Sequence, residues 1–257
     1  MSLLIDVKDA LELGLIFTRV IAIFLSFPLI NTQMIPLNVK LLLVVTFSFF
    51  IALHIDTSFD IESVDAALLG LLVIKELFIG FALGLLVNIF ISALSYAAEI
   101  ISYFMGLTVV NVFDPTFGQI SVLNRFFILL FYFIFFITES YRYVFGGIVA
   151  SFEYIPIDKL VFLEPLFPYI LEKSAYIFIM AFQIAFPFAL ILFLLNVALA
   201  LVNRLIPQIN VFIVGLPMQI YVGLAALAFG SSVLVYIVVS LLQRMGEEYI
   251  YILKLGG

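Results

Sequence analysis

From Ala66 to Ile91 the only charged residues are Lys75 and Glu76. An apolar run of about 18 or more residues is long enough to cross lipid as a helix. Comparable segments cover Leu11–Ile30, with Arg19 near its middle, Leu37–Ile55, Val122–Ile137, Ser174–Asn203 and Val211–Gln243. Six segments of this kind predict an all-α membrane protein. About six long hydrophobic helices would be arranged as hairpins, ending in a C-terminal antiparallel pair.

Composition agrees. Hydrophobic residues make up 66% of 257 positions, charged residues 11%, and mean hydropathy is +1.32. Soluble domains are about 45–50% apolar and about 25% charged, and their surfaces need polar cover. The chain must therefore sit in lipid or be sheathed by equally apolar partners. Net charge is −6 and no basic patch is present, which excludes nucleic acid as a partner. Without cysteine, and with His54 the one histidine, no disulfide, thiolate nucleophile or His-pair metal site is available. No cofactor is expected. Thirty Phe and no Trp leave the 12 Tyr to serve at the membrane interfaces. Asp6 and Asp9 interrupt any signal-peptide core, so the first segment is expected to insert and stay.

Two connectors stand out. An acidic one holds Asp56, Asp60, Glu62 and Asp65, and a long one, Thr138–Lys173, holds Pro156, Pro165 and Pro168. The basic residues of the connectors leave the membrane orientation open. Segments five and six, about 30 residues each, would each be roughly 45 Å long as helices. That exceeds the roughly 30 Å hydrocarbon core. The pair, joined by a tight connection with Pro207 and Asn210, either projects from the bilayer under cover of other subunits or lies tilted with interfacial ends.

The third segment continues as a more polar helix to about Phe104. There Ser92, Ser95, Tyr96, Glu99, Ser102 and Tyr103 recur at spacings of three and four and so share one face. Such a stripe in so apolar a chain faces protein or a wetted path. It lines a conduit, or it forms a hydrogen-bonded helix interface or a surface helix among the headgroups. The loop that follows, 105–121, is non-helical by composition. Gly106 and Gly118 allow positive φ, Pro115 blocks a helix, and Asp114 can close an Asx turn. Between these breakers lies the apolar strip Val109, Val110, Asn111, Val112 and Phe113. Non-helical backbone at membrane depth is tolerated where protein buries it or where it lines a cavity. The loop is therefore either a re-entrant plug that blocks ions by dewetting or an ordinary surface loop. Arg19 is expected to find a carboxylate or a cluster of carbonyls, within the chain or on a neighbour. Arg204, near a helix end, is expected to snorkel. Lys75 and Glu76, adjacent on a helix, are not expected to face each other.

The string from Leu195 to Phe212 contains Asn203, Arg204, Pro207, Gln208 and Asn210, and Gly215, Pro217 and Gly223 follow it. It closely resembles the signature of the FliR family of flagellar biosynthetic proteins, which includes the SctT-type subunits of injectisome (type III) export. Arg19, Pro28, Pro36 and Lys40 resemble the family's N-terminal Arg…Pro…Pro…basic spacing. Glu76, Gly80 and Gly84 resemble its Glu-x3-Gly-x3-Gly helix. Glu99, Gly106, Asp114, Pro115, Gly118 and Gln119 fall where the family has its Gly…Asp-Pro…Gly-Gln loop. The likeness spans essentially the whole chain and leans to the flagellar branch, with the connector Thr138–Lys173 its least matched part.

The resemblance implies a non-enzymatic subunit of a flagellar protein export gate in the bacterial inner membrane, at the base of the basal body. It implies assembly with FliP-like and FliQ-like subunits into a passage for unfolded proteins, supplied by FlhA-like and FlhB-like components. It implies a FliP-like portion, 1–173, followed by a FliQ-like helical hairpin, 174–257. It also implies that the loop, with Val110, Asn111, Val112, Phe113, Asp114 and Pro115, helps to close the resting pore.

Other classes fit less well. A small-solute secondary transporter would be expected to show inverted repeats, and the halves share no convincing self-similarity. An intramembrane hydrolase would need partners for Ser231 or Ser232, and His54 is far away in sequence. No Gly-x-Ser-x-Gly or phosphate-binding loop occurs.

Overall fold

The computed structural model describes residues 7–30, 35–55, 65–108, 121–158, 165–208 and 211–256. Every regular element among them is helical: α1 (Val7–Ser26), α2 (Leu37–Ala52), α3 (Ala66–Phe104), α4 (Val122–Ile137), α5 (Tyr141–Tyr154), α6 (Leu166–Leu205), α7 (Val211–Phe229) and α8 (Ser231–Gly256). α3 and α6 are long and apolar enough to cross a membrane, and up to four candidate spans result if α4 with α5, and α7 with α8, each count as one bent span. The six apolar segments are thus present, and the sixth is broken between α7 and α8.

The departures from the expected boundaries have local causes. The connector Thr138–Lys173 is not a loop throughout: it carries α5 and the first turns of α6. The break between α4 and α5 falls where Glu139 takes a φ of 55°, a left-handed conformation that a helix cannot continue through. Segment five is longer than expected. α6 runs 40 residues, roughly 60 Å at helical rise. Segment six is shorter, because the chain bends by 64° between α7 and α8. At that bend a Cβ on Gly230 would lie 2.6 Å from the ring of Phe188.

The chain forms two compact units interleaved in sequence. One comprises residues 1–89, 139–174 and 243–257, and the other 90–138 and 175–242. The first unit packs α1 against the front of α3, and its core includes the fully buried Leu15, Ile16, Val20, Ile23, Leu72, Ile79 and Leu83. Close approach is possible because α3 presents Gly80 and Gly84: a Cβ on Gly80 would lie 2.4 Å from the Arg19 carbonyl oxygen, and one on Gly84 2.8 Å from that of Ile23. α2 joins this unit by Val44, Ser48 and Ile51 and leaves most of its other faces exposed. The second unit holds the end of α3 with buried Ala93, Leu94, Ala97 and Ile101, the Phe127, Phe131 and Phe135 face of α4, and the α6–α7 hairpin.

Candidate functional site

Three clusters of polar or motif residues stand out. The first, in the N-terminal unit, is built on Arg19, which is fully buried at the centre of α1. An isolated guanidinium there would carry a large desolvation cost. Its Nε donates to Glu76 Oε2 at 2.5 Å, and Nη2 donates to Glu76 Oε1 at 3.0 Å, a two-point pairing with α3. The remaining donors reach the end of α5: Nη1 to the Ser151 carbonyl at 2.7 Å and Nη2 to the Ile155 carbonyl at 2.8 Å. The guanidinium carbon also lies 4.1 Å from the centre of the Phe152 ring. Arg19 has found both a carboxylate and a carbonyl cluster, within its own chain.

Lys75 corrects the sequence expectation. Its Nζ lies 3.0 Å from Glu76 Oε1 and donates to the carbonyls of Pro156 at 2.7 Å and Ile157 at 3.2 Å. Neighbours on a helix point about 100° apart, but a four-carbon stem is long enough to wrap back. One buried carboxylate thus holds two cations, and both cations tie down the residues where α5 ends.

The second cluster is the polar stripe on α3, in the other unit. Glu99 accepts from the Ser121 backbone N–H at 3.1 Å, the Ser121 hydroxyl at 3.1 Å and Asn124 Nδ2 at 2.7 Å. Ser95 donates to Asn124 Oδ1 at 2.8 Å. Ser121 is the N-cap of α4 and accepts from the Asn124 N–H at 3.2 Å. A carboxylate at the positive end of α4 is favourably placed. Ser102 is fully buried, with no hydrogen-bond partner for its hydroxyl among the described residues, while Tyr96 and Tyr103 are exposed and Ser92 is half-buried. Within the chain, then, Ser95 and Glu99 serve a hydrogen-bonded helix interface.

The third cluster lies where α3 stops. Gly106 has φ +72°. The Gly106 N–H bonds the Tyr103 carbonyl at 3.0 Å and the Leu107 N–H bonds that of Ser102 at 3.1 Å, the paired closure that a left-handed glycine allows. The hairpin covers this cap. A Cβ on Gly106 would meet Leu216 at 2.7 Å and Gln219 Oε1 at 2.9 Å, and Met105 packs on Gly223. Across the hairpin Gln219 Nε2 donates to Asn196 Oδ1 at 2.5 Å. Tyr103, Gly106, Asn196, Asn203, Gly215 and Gln219 enclose much of a cavity of about 470 Å³.

The signature residues Asn203 and Gly215 thus meet Gly106 at one place. Arg204 is exposed in the last turn of α6, Pro207 and Gln208 are exposed beyond it, and Pro217 lies inside α7 with its ring exposed. Val110, Asn111, Val112, Phe113, Asp114, Pro115, Gly118 and Asn210 lie outside the described residues. Sequence reasoning missed Ser121, Asn124, Asn196 and Gln219 as partners. It also missed a contact in the N-terminal unit, where Glu248 binds both Tyr169 and Lys173. The seven-residue spacing of Asn196 and Asn203, two turns on one face, was the available signal for the hairpin cavity. Among the described residues no group of three or more His, Cys, Asp or Glu could hold a metal.

Residues 10–245 match the family described as bacterial export proteins, family 1. Over its whole length the chain is similar to the flagellar biosynthetic protein FliR of Bacillus subtilis (strain 168). The two are 33% identical over 264 aligned residues, 100% of this chain and 99% of that protein. It is 32% identical to FliR of Aquifex aeolicus (strain VF5), covering 84% of each chain. It is 29% identical to FliR of Escherichia coli (strain K12), covering 82% of this chain and 80% of that one.

Proposed function

The chain belongs to the FliR family of bacterial export proteins, and from that premise we propose that it builds the wall of a shared export passage with FliP-like and FliQ-like subunits. It is a multi-pass membrane component of the flagellar protein export apparatus and acts without covalent chemistry. Unfolded flagellar proteins are the cargo, delivered by FlhA-like and FlhB-like components. Residues 1–173 supply a FliP-like portion and 174–257 a FliQ-like hairpin.

The observation that carries this reading is the bareness of α6. Only 28% of its most apolar stretch is buried within the chain, although its length exceeds what a bilayer covers. Apolar surface beyond the bilayer needs protein neighbours. Co-purification tests the proposal: FliP-like and FliQ-like chains should travel with this one from mildly solubilised membranes. A functional monomer needing no neighbour would overturn it.

In the same reading the loop residues Val110 to Pro115 form the resting plug, and the α3 cap at Gly106 fixes where that loop begins. Deleting Val109 to Phe113 should make the assembled gate leak ions. Normal membrane integrity, with assembly intact, would reject the plug.

A further inference from the structure

The export reading makes no use of the cleft between α1 and α2. It encloses about 390 Å³ and is walled by the rings of Phe24, Phe47, Phe50 and Phe145, with Ile30 and Leu43. Thr46 supplies the one polar side chain of the lining. Phe47 is the hub: its ring centre is 6.1 Å from that of Phe24, 6.3 Å from that of Phe50 and 5.9 Å, edge-on, from that of Phe145. The volume falls in the range of small-ligand sites, about 300–1,000 Å³. With no charge and one hydroxyl in its wall, it cannot compensate the desolvation of a polar ligand. Its contents must be apolar.

A second observation bears on what lies at the mouth. Lys40 shares a helix face with Leu43, Phe47 and Phe50, at spacings of three, four and three. It sits in the first turn of α2, where a cation opposes the positive end of the helix dipole. Pro36 caps that end with no side-chain acceptor, and no ion pair to Lys40 is found among the described residues. From Lys40 to Phe50 the helix rises roughly 15 Å, half of the roughly 30 Å hydrocarbon core. The groove has the length of one leaflet, with a single cation at one end.

We propose that this cleft holds one acyl chain of a phospholipid, whose phosphate rests against the Lys40 ammonium. An acyl chain brings no polar atom into the aromatic pocket, and its anionic head supplies the counter-charge that Lys40 needs. A sister helix lying in the groove would have to bring its own carboxylate to Lys40 and would cover Thr46. Every lining residue belongs to the N-terminal unit, so lipid there is a fixed component of that unit.

A photo-crosslinking amino acid at Thr46, an exposed position on the groove, tests this in the complete assembly. The assembly is reconstituted in vesicles of equal parts phosphatidylglycerol and phosphatidylethanolamine. The same probe at Leu42, exposed on another face of α2, reports bulk lipid. The expected result is a phospholipid adduct at Thr46 that exceeds the one at Leu42. In a Lys40→Gln background the Thr46 adduct should fall about fivefold, the weight of one lysine at an anionic surface, while the Leu42 adduct stays unchanged. A crosslink from Thr46 into a sister subunit in place of lipid would overturn the proposal. So would a Thr46 adduct no larger than that at Leu42 and indifferent to Lys40.

Discussion

α3 and α6 have nearly equal lengths, 39 and 40 residues, and both are apolar enough to cross a membrane. Yet 67% of the most apolar stretch of α3 is buried inside the chain, against 28% for α6. α3 carries Gly80 and Gly84, which admit α1 to backbone contact, and buried Glu76 and Lys75, which pair with Arg19 of α1 and tie down the residues just past α5. α6 carries bulky residues on most sides, with Phe178, Phe182, Phe186 and Phe193 exposed. Apolarity alone does not say which helix is a core and which is a contact surface. Small residues and paired charges mark the helix that the chain packs for itself, and exposed bulky side chains on most sides mark the one that needs neighbours.

That contrast can be broken in graded ways. The largest effect should follow Arg19→Ala, which strands Glu76 with Lys75 in a buried site. Loss of one partner of a buried pair costs about 3–5 kcal/mol. The chain should fall in abundance and in thermal stability in detergent, and replacing the whole charge set by Arg19→Met, Lys75→Met and Glu76→Leu should recover part of the loss. Gly80→Ala comes next, because its methyl would collide with the Arg19 carbonyl rather than with a movable side chain. Overpacking of this kind costs about 1–3 kcal/mol, seen as a lower melting temperature. Ser121→Ala removes the α4 cap and one of the Glu99 donors, at about 1 kcal/mol, again read by melting. Phe182→Ala on α6 should change the chain's own stability by no more than about 0.5 kcal/mol while reducing recovery of sister subunits in a pull-down. If Phe182→Ala destabilised the isolated chain as much as Gly80→Ala, the distinction between the two helices would fail.

Much of this was legible beforehand. The apolar runs located the helices, and the three-and-four spacing put Ser95 and Glu99 on one face, though not what that face meets. Their partners Ser121 and Asn124 could not be read, because no local rule pairs residues 22 to 29 positions apart. The prolines of the long connector misled for a physical reason. Pro168 falls in the first turn of α6, where a missing N–H breaks no helical bond. α5 escaped notice because Gly146 and Gly147 weaken its helical signal. Lys75 was misjudged by treating a side chain as if it ended at its Cβ.

The reach of Arg19 also sets an order of events during synthesis. Its carboxylate partner is translated 57 residues later, and its carbonyl partners 132 and 136 residues later. At bacterial elongation rates of about 5–20 residues per second, the guanidinium waits roughly 7 to 27 seconds for its full set of acceptors. The stretch 243–257, part of the same unit, follows later still. The N-terminal unit therefore condenses only after three segments far apart in sequence have all been made.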